Sequence, residues 1–426
     1  MKKYTEMSKN ELKTELASLK EEYENLKSLG LNLNMARGKP GVEQLNLVSK
    51  MNEINISFEQ YSLDGIESRN YGNLDGIPSA KKLFAEFLNT SSDNIFVGGN
   101  ASLQLMYDVI SKAYTHGLAN SSKAWCKEEK IKWICPAPGY DRHFKITESF
   151  GFELLTVKML ADGPDMNAVE ELVKDSSVKG MWCVPKYSNP DGIVYSNDTI
   201  KRIASLKPAA KDFTLMWDNA YCMHEFSCDY VPFPDILSEC EKYGNTDMVF
   251  EFASTSKMTF PGAGVSCFAT SKNNMEYMKK LIGVQTIGFD KINQLRHVLF
   301  LKNKENTLEL MKQHASILKP KFDCVLDCLE KEIGPLGFAC WTKPQGGYFI
   351  SLYTLPGCAK RTWQLAKEAG LTMTGAGATY PYGLDPDDSN MRIAPSFPSV
   401  SELEQAMKLY CVCLKYAVAE KLAGEK

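Results

Sequence analysis

The sequence predicts an α/β protein with a large domain built on a mostly parallel mixed sheet and a smaller α+β domain. Three observations carry that expectation. From about residue 90 to 270, short β-rich apolar runs alternate with amphipathic helical stretches, the rhythm of an open sheet covered on both faces. Beyond about residue 290 long helical patterns surround one short strand-like segment. The chain has 426 residues, 44% of them hydrophobic and 24% charged, enough apolar side chains to fill large cores without a disulfide or metal staple.

In chain order, Ser8 and Glu11 form a capping box ahead of Leu12, Leu16, Leu19, Tyr23 and Leu26, and Gly30 supplies a stop; this predicts an N-terminal helix packed on its own domain. Buried strands are expected at 95–97, 133–135, 154–157, 180–184, 213–217, 248–252 and 267–269, with helices between them, as at 103–114 and 166–175. A single long helical stretch is expected over 293–332. Cys340-Trp341 and the run from Gly346 to Leu352 follow it, and a last helix capped by Ser401 and Glu404 closes the chain. The expected division is residues 1–50 joining the small domain, 51–310 as the large domain and 311–426 as the small one.

Charge and composition narrow the function. Lys and Arg number 49 against 52 Asp and Glu, a net charge of −3, which offers no basic excess for nucleic acid. No run of about 18 apolar residues exists for a membrane span, and the first residues lack the apolar core of a secretory signal. Thirteen cysteines, none in a C-x-x-C pair, fit reduced structural thiols. The five histidines form no spaced cluster with cysteines or carboxylates, so no metal is expected. These features predict a soluble cytoplasmic protein. Gly375-Ala-Gly377 and Gly262-Ala-Gly264 lack the third glycine of a dinucleotide fingerprint, and no phosphate-loop motif occurs.

The chemistry gathers at strand ends, where open α/β sheets bind ligands. One expected strand runs into Asn189-Pro190, the next ends in Asp218-Asn-Ala-Tyr221, and a third ends in Ser254-Thr-Ser-Lys257. Taken singly, these are a turn asparagine, a helix-capping aspartate and a surface lysine. Taken together and in this order, they resemble the fold-type I pyridoxal-phosphate enzymes, in particular the class I/II aminotransferases. The phrases YGNLDGIP, STSKMTFPGAG and RIAPSFP are similar to those of aspartate aminotransferase subgroup Ic, and the likeness spans nearly the whole chain from Asn34 to Pro398.

The resemblance implies roles. Lys257 would carry pyridoxal 5'-phosphate covalently and shuttle the proton during transfer, since burial lowers a lysine's pKa toward the working range. Asp218 would keep the pyridine nitrogen protonated, and Asn189 and Tyr221 would hydrogen-bond the ring's 3' oxygen. Asn100, Ala101 and Ser102, at a helix start after Gly98-Gly99, would meet the phosphate, joined by the Ser254 hydroxyl. Tyr140 would stack on the ring. Tyr71 would reach the phosphate of a neighbouring subunit, which implies a homodimer with shared active sites. Arg392 would grip the substrate α-carboxylate, with Gly38 approaching the substrate; Arg37, Lys39 or Arg69 could receive a distal carboxylate.

One departure stands out. Relatives often carry a phosphate-binding arginine shortly after the cofactor lysine, whereas here Phe260 to Ser266 contains none and the next arginine is Arg296. Lys291 is the residue expected to replace that charge, from the same or the neighbouring subunit. The implied activity is ping-pong transfer of an amino group between an amino acid, aspartate or glutamate by the subgroup likeness, and a 2-oxo acid. Two alternatives stay open. One is another aminotransferase or a lyase on the same scaffold; the other is a non-catalytic sensing module like the effector domain of certain transcription regulators.

Overall fold

The computed structural model describes residues 2–227 and 229–424. Its centre is a sheet that, among the described residues, has eight strands. In spatial order they are Ile95–Val97, Ser266–Thr270, Val249–Ser254, Thr214–Asp218, Val178–Cys183, Lys132–Ala137, Glu153–Leu160 and Gly163–Pro164. The five strands from Val249–Ser254 to Glu153–Leu160 are mutually parallel; Ser266–Thr270 and Gly163–Pro164 run antiparallel to them, and Ile95–Val97, antiparallel to Ser266–Thr270, runs in the same direction as the five.

Side chains alternate across this sheet with period two. Leu215, Trp217, Val249 and Cys267 join one core with Leu83, Phe84, Ile200 and Ile203. Met216, Phe250, Phe252 and Phe268 join the opposite core with Met106, Val109 and Ile110 from the Ser102–His116 helix. Helices therefore cover both faces, which explains the near-continuous apolar strands. The same alternation places Asp218 on the Met216 side, toward the helix Asp141–Ser149.

A second body holds an antiparallel sheet of Cys340–Trp341, Ile350–Tyr353 and Asn390–Ile393. Around it pack helices Lys9–Ser28, Ala359–Glu368 and Val400–Ala423. The N-terminal helix has its capping box, with Glu11 N–H donating to Ser8 Oγ and Ser8 N–H to Glu11. It buries the expected stripe of Leu12, Leu16, Leu19, Tyr23 and Leu26. A parallel pair, Leu33–Asn34 with Leu371–Thr372, ties the N-terminal segment into this body and was not foreseen in the sequence.

Two expected elements differ. The stretch 293–332 is two helices, Lys291–Leu301 and Lys304–Glu332. The chain breaks at Lys302, which takes φ +63°, and Asn303 caps the second helix by accepting from Asn306 N–H. The last helix starts at Val400, capped by Ser399 with Glu402 rather than by Ser401 with Glu404. Both serines satisfy the S-x-x-E pattern, and the earlier one wins two more residues of helix. Helix Lys304–Glu332 contributes Met311 to the large-sheet core and Phe322 to the second body, so it passes between the two across Pro320. Among the described residues no helix is long and apolar enough to cross a membrane.

Candidate active site

A cavity of about 250 Å³ opens where the carboxyl ends of the parallel strands face the second body. It is lined by Gly38, Ser102, Tyr140, Asn189, Asp218, Tyr221, Lys257 and Arg392. Eight of the residues expected from sequence, drawn from seven separate segments, therefore meet in one place.

Local structure explains why. Asn189 sits in a tight turn closed by Ser188 N–H to Ile193 O (2.9 Å) and Gly192 N–H to Ser188 O (2.6 Å). Asp218 is the last residue of its strand, and the ladder continues through Asn219 N–H to Phe252 O (2.8 Å). Lys257 follows Val249–Ser254 in a turn held by Met258 N–H to Thr255 O (2.8 Å) and Val265 N–H to Thr255 Oγ1 (3.0 Å). Ser102 opens its helix behind Ala101, so the first backbone N–H groups lack partners within that helix. Arg392 lies in Asn390–Ile393, opposite Ser351. Gly38 has to be glycine for packing: a Cβ there would come within 2.4 Å of Phe349 Cζ. That same Phe349 ring lies 4.7 Å from the Arg392 guanidinium carbon, so Gly38 backbone, ring and guanidinium form one layered wall.

The electrostatics suit an anionic, nitrogen-containing ligand. Lys257 is half-buried, and desolvation of its amine pushes its pKa below the ordinary lysine value, with Asp218 opposing; the amine is thereby nearer the nucleophilic, neutral form. Its Nζ lies 4.8 Å from the centroid of the Tyr221 ring. Burial raises the Tyr221 phenol well above its usual range, so it is a hydrogen-bond donor throughout. Asp218 Oδ2 lies 3.0 Å from His143 Nε2, while its Oδ1 is buried with no partner. An orphaned buried carboxylate oxygen facing a cavity calls for a cationic donor, and a protonated pyridine nitrogen fits it. Arg37, Lys39 and Arg142 add positive charge to the lining, favouring phosphate and carboxylate groups. The residues present thus fit pyridoxal phosphate.

Several participants were not found from sequence. His143 stacks on Trp182, ring centroids 4.4 Å apart, and meets the Tyr140 ring edge-on. Three residues after Tyr140, it lies about one helical turn on, on the same face; that spacing was the available signal. Asp141, Arg142 and Phe349 line the cavity, and Thr374 Oγ1 accepts from Arg392 Nη2 at 3.1 Å.

Other expected residues lie outside this lining. Asn100 and Ala101 precede the Ser102 helix, with Asn100 O 3.4 Å from Ser256 Oγ, and Ser254 ends its strand, its Oγ accepting from Ser256 N–H. Tyr71, Arg69 and Lys291 line a separate cleft. There Lys291 Nζ donates to Gly72 O at 3.0 Å, and Arg69 is paired with Glu67. Tyr71 is 83% exposed.

Comparison with known proteins agrees with this geometry. The family model described as aspartate amino-transferase matches residues 7–426. An aspartate aminotransferase of Corynebacterium glutamicum is 45% identical over 406 residues, covering 95% of this chain and 94% of that one. The crystal structure of an aspartate transaminase from Corynebacterium glutamicum superposes with a TM-score of 0.96 at 44% identity, covering 98% of both chains. At 19% identity, an alpha-aminoadipate aminotransferase from Thermus thermophilus, complexed with N-(5'-phosphopyridoxyl)-L-leucine, shares the fold with a TM-score of 0.74 over 91% of this chain and 93% of that one. The chain belongs to the aspartate amino-transferase family: it is a fold-type I transaminase whose cofactor is pyridoxal phosphate.

Proposed function

We propose that this transaminase takes aspartate or glutamate as amino donor and a 2-oxo acid as acceptor, and that it works as a cytoplasmic homodimer. The observation that carries the reading is the convergence of half-buried Lys257, half-paired Asp218 and Arg392 on one cavity. Arg37 and Arg142, exposed at the same cavity, support a substrate with a second carboxylate, and the 45% identical relative is an aspartate aminotransferase.

Bound pyridoxal phosphate supplies an aldehyde carbon that exchanges amino groups and a ring that takes up the electron pair released at the substrate Cα. The chain's own residues do the rest. Lys257 would hold the cofactor covalently and, once free, would move the proton released at the substrate Cα. Asp218, fixed by His143, holds the proton on the pyridine nitrogen. Asn189 and Tyr221 hydrogen-bond the ring oxygen, and Tyr140 covers the ring. The Ser102 helix start, with Asn100, Ala101 and Ser254, receives the phosphate. Arg392 orients the α-carboxylate, which sets the direction of the Cα–H bond.

Exposed Phe58 (73%), Tyr71 (83%), Val284 (90%) and Ile287 (62%) support the dimer, since Arg69 stacks on Phe58 and Gly72 lies against Gly288. These contacts bring Phe58 and Tyr71 to the cleft shared with the Gly288 segment, and an exposed apolar surface there supports an interface between copies. In the dimer Tyr71 reaches the partner's phosphate, and Lys291 steadies the Tyr71 loop or adds charge there. We also propose domain limits near residues 50 and 310.

The test is an absorbance scan with activity on aspartate and 2-oxoglutarate. The wild type should show a cofactor band and steady turnover, and Lys257→Ala should lose both the covalent cofactor and turnover. A wild type that stays colourless with added pyridoxal phosphate would contradict the reading. Turnover of other amino acids without aspartate or glutamate would contradict the donor preference alone.

A further inference from the structure

Arg392 already has a carboxylate partner of its own. Its Nη1 donates both of its hydrogens, one to Asn189 Oδ1 at 3.1 Å and one to Asp141 Oδ1 at 3.0 Å. Its Nη2 donates to Thr374 Oγ1 at 3.1 Å, and its Nε is buried without a partner. Asn189 and Thr374 are neutral. Asp141 alone among these acceptors offers the chemical group that the arginine is assigned to receive from substrate.

The two partners differ in freedom. The Arg392 side chain is 6% exposed and that of Asp141 29%. Asp141 is the first residue of helix Asp141–Ser149, directly after Tyr140, and lines the cavity beside Arg142. Its short side chain reaches water by a rotation about χ1, with no movement of the helix. Asn189 is buried in its closed turn and cannot withdraw so cheaply.

We propose that Asp141 is a resident competitor for the substrate carboxylate: it occupies a donor of Arg392 in the empty site and swings out to solvent when substrate binds. This rests on the assignment of Arg392 to the α-carboxylate. Two consequences follow from the charge balance. A buried guanidinium without a counter-charge is costly, so Asp141 keeps the empty site paired. The exchange also lowers net affinity for any carboxylate, so a ligand must bring further contacts to win. Small monoanions are thereby rejected and product release is eased, a form of selection against the wrong ligand.

The alternative role for Asp141, a permanent brace that orients Arg392 for substrate, predicts the opposite sign. The experiment is equilibrium titration of the holoenzyme with succinate, an unreactive dicarboxylate, followed by calorimetry. Asp141→Asn and Asp141→Ala should each bind succinate about twofold to fivefold more tightly than the wild type, the range expected for removing one partly exposed competing ion pair. KM for the amino donor should fall in the same variants while kcat does not rise. Unchanged or weaker succinate binding in both variants, with melting temperatures near that of the wild type, overturns the proposal. Arg392→Ala is the control for the assignment beneath it: lost succinate binding keeps that assignment, and unchanged binding overturns the assignment together with the proposal.

Discussion

At the scale of single residues, this protein relies on geometry more than on unusual side chains. Arg392 contributes a buried planar fork backed by the Phe349 ring, so Arg392→Lys keeps the charge and loses the bidentate fit. Charge-assisted hydrogen bonds are worth about 1.5–3 kcal/mol, so KM for the amino donor should rise roughly 10- to 100-fold in that variant, measured by steady-state kinetics. Gly38→Ala should act on the same wall, because its Cβ would meet Phe349 at 2.4 Å and push the ring from beneath the guanidinium. Lys257, Asp218, Asn189, Tyr221 and Arg392, each named by a motif from sequence, meet in the cavity. Asp218 ends a strand, Asn189, Tyr221 and Lys257 lie in the turns just beyond strand ends, and Arg392 lies within a strand; the first four follow strands visible as apolar runs. His143 and Asp141 were not legible as site residues: the spacing from Tyr140 puts His143 on the same helix face, but whether that face meets Asp218 depends on which face of the sheet the Asp141–Ser149 helix covers, which the chain's crossover settles.

At the scale of elements, the central strand Val249–Ser254 carries a buried acid with a consequence for stability. Glu251 Oε1 accepts from Asn219 Nδ2 at 2.9 Å, while Glu251 Oε2 and Asn219 Oδ1 are both buried and unpartnered. Those two orphans can pair only if the acid is protonated, and burial pushes the Glu251 pKa up to about 8. The unfolded chain releases this proton near the ordinary glutamate value. Between that value and about 8 the native state therefore binds more protons, and stability falls as pH rises through the window. Glu251→Gln, an uncharged isostere, should remove that slope. Its melting temperature should exceed the wild type's by roughly 2 °C or more at pH 9 and by less at pH 5, followed by thermal unfolding. A larger gain at pH 5 would contradict the neutral pair. Element boundaries were partly legible. The break at Lys302 carries neither glycine nor proline, and its one local mark is the capping residue Asn303; the choice between the Ser399 and Ser401 caps was a choice between two equally valid patterns.

At the scale of the whole molecule, the site lies between two bodies. Lys257, Asp218 and Asn189 come from the large sheet, and Arg392 and Phe349 from the second body, so the proposed substrate site engages both. The proposed homodimer adds Tyr71 from a neighbour. A Val284→Glu and Ile287→Glu double variant should therefore sediment as a monomer and bind pyridoxal phosphate more weakly, as checked by sedimentation velocity and cofactor titration. A variant that remains a dimer would place the interface elsewhere. The large-sheet architecture was legible because buried parallel strands have a strong apolar signature. The Leu33–Asn34 pairing with Leu371–Thr372 was not, since two-residue strands lack any periodicity and their pairing spans most of the chain. The central claim concerns what the whole site does to an amino acid, and a single half-reaction tests it. Holoenzyme mixed with limiting L-aspartate and no 2-oxo acid should lose its cofactor band and release oxaloacetate up to one equivalent per subunit, without ammonia. Ammonia release, or a band unchanged by both aspartate and glutamate, would contradict the account.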